Sequence, residues 1–216
     1  MPDQVEGARE PMSNVVGILV ALLAGALAGW IARGRRGGEA QAVPAPEEFE
    51  GVSLVSLTDP MTGLFNRQGY RLLAARLLRD AVRERRSAVL MLFDMDGLKA
   101  INARLGHAVG DEALNAAAAV LRSTFRDTDL IARLDGDEFC VMGMLPGEPT
   151  DGTAQLARLD DAITLFNGRQ DAAFRLSLSG GLAMWDHLHP TSLNALEEEA
   201  DRRLYADKVA RGLGSR

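Results

Sequence analysis

Apolar and polar positions divide the chain into a charge-free run near the start, a proline-containing polar tether, and a long remainder in which helical and strand-like periods alternate. After Asn66, the residues Tyr70, Leu72, Leu73, Leu77, Leu78 and Val82 recur at helical spacing and give way to the polar run Arg83–Arg86, which predicts an amphipathic helix. Ala88–Phe93 is an unbroken apolar run of strand length, as expected of a central strand buried on both faces, and it ends at Asp94. Asp111–Phe125 is rich in Ala and Leu at helical spacing. Leu130–Leu134 and Phe139–Leu145 are strand-like and joined by Asp-Gly-Asp-Glu, in which Asp-Gly is a strong hairpin signal. A helix over Ala154–Phe166, a strand over Phe174–Ala183 with Phe174, Leu176 and Leu178 alternating, and a last helix over Leu193–Arg211 complete the pattern. The order is βααββαβα or near it, an α/β (α+β) chain with a mixed central sheet covered by helices.

The N-terminal run Val15–Ala32 carries no charge, and at 1.5 Å per residue it makes about 27 Å of helix, close to the ~30 Å hydrocarbon core of a bilayer. Asp3, Glu6 and Glu10 outweigh Arg9 before it, unlike the basic start of a cleavable signal peptide. Arg33, Arg35 and Arg36 follow it and place the rest of the chain in the cytoplasm. The expectation is a single-pass inner-membrane protein: residues 1–13 outside, a transmembrane helix over 14–33, a linker and short stalk over 34–57 containing Pro44 and Pro46, and one cytoplasmic domain over 58–216. Small residues at Gly17, Ala21, Gly25 and Gly29 line one side of the spanning helix, either as a pairing face or because Gly and Ala are common there.

Charge narrows the partners. With 24 Lys and Arg against 30 Asp and Glu, the net charge of −6 repels a polyanionic duplex, so nucleic acid is not expected. The only cysteine, Cys140, lies in an apolar run and is expected to be a buried core thiol.

Carboxylates supply the candidate chemistry. Asp94 and Asp96 stand where the buried strand ends, and Asp137 and Glu138 stand in the hairpin turn. If the two strands are neighbours, three or four carboxylates converge. Two like charges ~5 Å apart at an effective dielectric of ~20 repel by about 3 kcal/mol, so the cluster calls for a cation. Hard oxygen ligands without Cys or His favour Mg²⁺ or Mn²⁺, with phosphate oxygens of a nucleotide completing the shell. Taken singly, each acidic pair reads better as solvated turn residues, and it is their joint occurrence that weakens that reading.

Several motifs in order resemble the GGDEF domain of diguanylate cyclases, whose fold is related to the palm of polymerases and class III nucleotide cyclases. These are DPMTGLFNR at Asp59–Arg67, FDMDGLKAIN at Phe93–Asn102, LGHAVGDEAL at Leu105–Leu114, RDTDLIARLDGDEF at Arg126–Phe139, LSLSGGLA at Leu176–Ala183 and ADRRLYADK at Ala200–Lys208. The resemblance implies that two GTP molecules, one in each domain of a homodimer, condense to cyclic di-GMP with release of pyrophosphate. It implies a Mg²⁺ or Mn²⁺ pair held by Asp94, the carbonyl of Met95, Asp137 and Glu138, with Glu138, Asp137 and Lys99 in catalysis. Gly97 and Leu98 would offer helix-opening amides to phosphate, with Lys99 and Lys208 adding positive charge. Gly136 would let the backbone approach the nucleotide, and Asn102 and Asp111 would read the guanine edge. Without a ligand, Asp111 reads as the N-cap of the following helix and Lys99 and Lys208 as solvated helix residues. Arg126 and Asp129 match the RxxD that binds cyclic di-GMP as a feedback inhibitor, or form a local ion pair at a helix end.

Three positions depart from the family pattern. Asp135 stands where Gly, Ala or Ser is usual, Gly212 where the closing Arg is usual, and Ala103 where Asp follows the base-reading Asn. Two function classes therefore stand side by side: a membrane-anchored diguanylate cyclase, and a catalytically degenerate GGDEF module that acts as a cyclic di-GMP or GTP receptor.

Overall fold

The long apolar run becomes the centre of a four-stranded sheet. The computed structural model describes residues 57–145, 152–169 and 173–213. In chain order these form α1 (Arg67–Glu84), β1 (Ala88–Met95), α2 (Leu98–Leu105), α3 (His107–Thr124), β2 (Leu130–Asp135), β3 (Glu138–Met144), α4 (Thr153–Asn167), β4 (Leu178–Trp185) and α5 (Leu193–Ala210). The strand order is β2-β3-β1-β4. Every pairing of these strands is antiparallel, which corrects the expected mixed sheet. The reason is topological: α2 and α3 carry the chain past the neighbouring position to the edge strand β2, and the hairpin returns β3 into the gap beside β1. Parallel pairing survives as one isolated bridge between Phe65 and Ala132.

Alternation along β1 divides the core into two layers. Val89, Met91, Phe93 and Met95 face a cluster with Ala113, Leu114, Ala117 and Leu121 of α3 and Leu159 and Ile163 of α4. Ala88 and Leu90 face the opposite cluster with Tyr70, Ala74 and Leu77 of α1 and Leu196 and Ala200 of α5. Because both faces are covered, the strand is apolar at nearly every position. Cys140 is fully buried in the second cluster, as its apolar context implied.

Local chemistry sets the ends of the elements. The Asn66 side chain caps α1 by accepting from Gly69 N, and Arg85 closes the helix in the left-handed region at φ 52°. Three boundaries differ from expectation. β1 does not end at Asp94: it runs through Asp94 to Met95, because both neighbouring strands continue the ladder there. The α3 helix starts at His107 behind Gly106, so Asp111 lies inside the helix and is not its cap. Finally, β4 begins at Leu178. Phe174 and Leu176 are buried but precede it, and the Asn167 amide takes the place of a strand partner by pairing with both the N–H and the C=O of Leu176 at 2.7 Å.

The apolar span over 14–33, the linker and nearly all of the stalk lie outside the described residues. Among the described residues no helix is long and apolar enough to cross a membrane.

The last helix crosses β4 closely. A Cβ on Gly181 would overlap the Ala200 carbonyl and the Leu204 amide and stand 2.8 Å from Leu204 Cα, all of them backbone atoms that cannot rotate away. Asp207 fastens the same crossing by accepting from Gly180 N at 2.9 Å. Gly181→Ala is therefore expected to destabilise the domain by about 2–3 kcal/mol through overpacking, read as a lowered urea midpoint with little change in m-value.

Candidate functional site

The antiparallel ladder brings together acidic groups that are far apart in the chain. Asp94 on β1 stands opposite Glu138 on β3, and Met95 N donates to the Asp137 carbonyl at 2.9 Å, which ties the hairpin to the end of the central strand. Asp94, Met95, Asp137 and Glu138, all singled out from the sequence, thus share one end of the sheet. Burial pushes the Asp94 carboxyl up; Lys208 pulls it back, with Nζ 2.7 Å from Oδ2, while the charges of Asp137 and Asp96 push it up further. Burial likewise pushes Glu138 up, opposed by Arg67 at 3.5 Å and reinforced by repulsion from Asp94, Asp135 and Asp137.

Asp96 leaves this cluster. Its oxygens accept from the hydroxyls of Ser177 at 2.6 Å and Ser179 at 2.7 Å, and Arg211 stands 3.9 Å away. It joins the end of β1 to β4, so of the three or four carboxylates expected at this edge, Asp94, Asp137 and Glu138 remain together.

Beside the acidic end, Gly97 caps α2 at φ +76°, a backbone conformation that glycine adopts without strain. No side chain caps the helix, so its opening amides from Leu98 onward are not taken by a cap. Lys99 is exposed on the first turn, whereas Lys208 sits on Asp94. Asn102 near the end of α2 packs against Gly110 of α3, the residue before the exposed Asp111, so the two expected base readers are brought to one helix junction.

The hairpin turn is held from outside. Arg133 donates to the Gly136 carbonyl through Nε at 2.9 Å and Nη2 at 2.6 Å, and its Nη1 pairs with Asp59 at 3.2 Å. Asp59 in turn accepts from the Thr62 amide and hydroxyl. Asp135 folds back onto the turn, its Oδ1 accepting from Gly136 N at 2.9 Å. Spacing gives no signal that assigns Arg133, Asp59 and Arg67 to the site, because the Arg67–Glu138 and Arg133–Asp59 pairs are 71 and 74 residues apart in the chain.

Arg126 and Asp129 lie at the other end of β3. Asp129 Oδ2 accepts from Arg126 N at 3.0 Å, and Asp129 N donates to the Arg126 carbonyl at 2.9 Å. The local contact is thus a side-chain-to-backbone turn, while the guanidinium side of Arg126 is exposed. Gly143 makes room for it: a Cβ there would stand 2.5 Å from Asp129 Oδ1. Five residues of strand separate Gly143 from Glu138, about 17 Å, so this concavity and the acidic end are separate sites. Gln155 and Arg158 of α4 complete its lining, and neither was legible as a site residue.

Burial raises the Asp129 carboxyl, opposed by the Arg126 amide and by the charges of Arg126 and Arg158. A raised carboxyl means that the folded chain holds a proton that the unfolded chain has lost, so stability from this group falls as pH rises from the usual carboxylate range through the folded value. Asp129→Asn removes the effect. Urea midpoints from about pH 3 to 7 should show the variant gaining on the parent across that window and then keeping a constant lead.

Does the acidic end suit a divalent cation? The donors are hard oxygens, two strand-end carboxylates whose protonation is favoured by mutual repulsion and burial. Among the described residues no group of three or more His, Cys, Asp or Glu side chains is placed to hold a metal ion by itself. A Mg²⁺ bound through one or two carboxylates, with water and substrate phosphate filling its shell, needs fewer protein donors than that.

Comparison with known proteins identifies the family. Residues 56–212 match the family model described as diguanylate cyclase, GGDEF domain. The chain is 36% identical over 163 residues to the diguanylate cyclase TpbB of Pseudomonas aeruginosa, covering 71% of this chain and 36% of that protein. It is 33% identical over 163 residues to the probable diguanylate cyclase DgcC of Escherichia coli, covering 74% of this chain and 42% of that one. The isolated GGDEF domain of TpbB from P. aeruginosa superposes with a TM-score of 0.60 at 34% identity, covering 71% of this chain and 89% of that chain. This chain belongs to the GGDEF family. It spans well under half the length of these two curated relatives.

Proposed function

We propose that the protein is a diguanylate cyclase that condenses two GTP into cyclic di-GMP and two pyrophosphates across a homodimer, with product inhibition at Arg126 and Asp129. The observation that carries this reading is the register of Asp94 against Glu138, with the Asp137 carbonyl tied to Met95 N. In this reading the acidic end binds Mg²⁺ or Mn²⁺, which when bound activates the attacking 3′-hydroxyl and screens the leaving pyrophosphate. Asp94, the Met95 carbonyl, Asp137 and Glu138 are its donors. The amides of Gly97 and Leu98 hold phosphate oxygens at the helix opening, and Lys99 adds charge there. Lys208 exchanges its Asp94 carboxylate for a phosphate when nucleotide arrives. Gly136 keeps the turn open to the nucleotide, and Asn102 and Asp111 select guanine, because a carboxylate accepts from guanine N1–H and the exocyclic amine. Each domain supplies one nucleotide, so the reaction needs two apposed copies.

Membrane anchoring over 14–33, with the domain in the cytoplasm, belongs to the same proposal. The charge-free run and the arginines behind it support this.

Specific observations favour a second reading, a receptor without turnover. Asp135 puts a carboxylate on the turn amide of Gly136, and Arg211 is held by Asp207 at 2.9 Å and does not stand free to replace the side chain missing at Gly212. Incubating the full-length chain with GTP and Mg²⁺ decides between them. Cyclic di-GMP and pyrophosphate should form, Asp94→Asn should cut the rate at least a hundredfold, and Arg126→Ala should keep the initial rate while abolishing inhibition by added product. No turnover in a dimeric sample, with cyclic di-GMP binding that Arg126→Ala removes, would establish the receptor reading.

A further inference from the structure

Gly110 lies within the first turns of α3, at an ordinary helical backbone angle where Ala would normally be the better helix former. It is buried. A Cβ built on it would overlap Oδ1 of Asn102 and stand 2.9 Å from Cγ and 3.4 Å from Nδ2, so the whole amide of Asn102 occupies the volume that any side chain at 110 would fill. Oδ1 is shut away from solvent and meets no donor among the described residues. No hydrogen bond to Oδ1 fixes that edge of the amide among the described residues, and the space left by Gly110 is what it fills. The Asn102 carbonyl fastens the same junction from the backbone, accepting from Gly106 N at 3.0 Å between the two helices.

We infer that Gly110 is a positioning residue for base selection: its missing side chain is the notch that seats the Asn102 amide at the junction of α2 and α3, beside Asp111. The inference rests on the proposal that Asn102 and Asp111 read guanine. A bound purine leaves the buried edge of the amide where it is, and the exposed edge is the one available to the base. Methyl-sized growth at 110 expels the amide from the notch and changes which edge it offers. The α2 opening, the acidic end and the Arg126 concavity lie outside this contact.

The test is a pair of substitutions made singly and together in the full-length chain. Gly110→Ala should lower the Tm of the parent chain, although Gly→Ala inside a helix ordinarily raises it. In an Asn102→Ala background, where the amide is gone, the same Gly110→Ala change should raise the Tm. A merely structural glycine would give the same sign in both backgrounds, and that result overturns the inference. Calorimetric titration with non-hydrolysable GTP and ATP analogues in Mg²⁺ supplies the second readout. Gly110→Ala should weaken the GTP analogue at least tenfold and shrink its advantage over the ATP analogue, with cyclic di-GMP binding at Arg126 unchanged. An unchanged GTP-to-ATP ratio in a folded Gly110→Ala chain contradicts the positioning role. Should the parent chain itself show no preference for guanine, base reading by Asn102 and Asp111 fails, while the thermal cycle still decides whether the notch seats the amide.

Discussion

Carboxylates repel, and the β1–β3 ladder gives Asp94 and Glu138 no route apart. Their positions follow from a register that begins at Ala88 opposite Met144 and is carried by buried apolar residues on both faces of the sheet. Moving the two carboxylates apart would mean slipping that register, and a slip of one residue exchanges the core-facing sets of the strand. The fold therefore holds a local electrostatic cost in place, and cations must answer it. Lys208 and Arg67, delivered by α5 and α1, do so in part. Both carboxyl groups nevertheless remain above their usual range.

The surrounding elements serve this end of the sheet in different ways. The Gly181 crossing and the Asp207 bond to Gly180 hold α5 against β4, which is what brings Lys208 to Asp94. Arg133 reaches from β2 to the turn carbonyl and to Asp59, so the segment that precedes α1 is keyed to the hairpin that carries Asp137 and Glu138. Asp96, two residues beyond Asp94, accepts from two serine hydroxyls and so links the end of β1 to β4. Two aspartates so close in sequence thus have separate tasks, one at the site and one in the scaffold.

Much of this was legible in the residues. The apolar run Ala88–Phe93 marked the central strand, Asp-Gly marked the hairpin, and the helical periods found α1, α4 and α5 to within a few residues. Boundaries were less readable where a partner strand or a distant side chain decides them. Asp94 stays in the strand because its neighbours continue there, and Leu176 stays out because Asn167 supplies the bonds that a strand would. The direction of pairing was not legible because hydrophobic pattern does not say which strand fills the gap beside β1. Within the site, strand-end acids could be seen and their counter-ions could not. Arg67 reaches Glu138 and Arg133 reaches Asp59 across more than seventy residues, and no local period records such a pairing.

Glycine carries a further share of the information, visible only in three dimensions. Gly110, Gly143 and Gly181 have no unusual backbone angle, yet each lies where another group needs its volume: the Asn102 amide, the Asp129 carboxyl and the α5 backbone. In the proposed function a guanine nucleotide and a divalent cation bind the acidic end together. Its most direct test is calorimetric titration of the full-length chain with a non-hydrolysable GTP analogue, in Mg²⁺ and in EDTA, before and after Asp94→Ala. The account predicts binding in Mg²⁺ that falls at least a hundredfold in EDTA and is comparably weakened by the substitution. Equal affinity in Mg²⁺ and EDTA, or no effect of losing the Asp94 carboxylate, would contradict it.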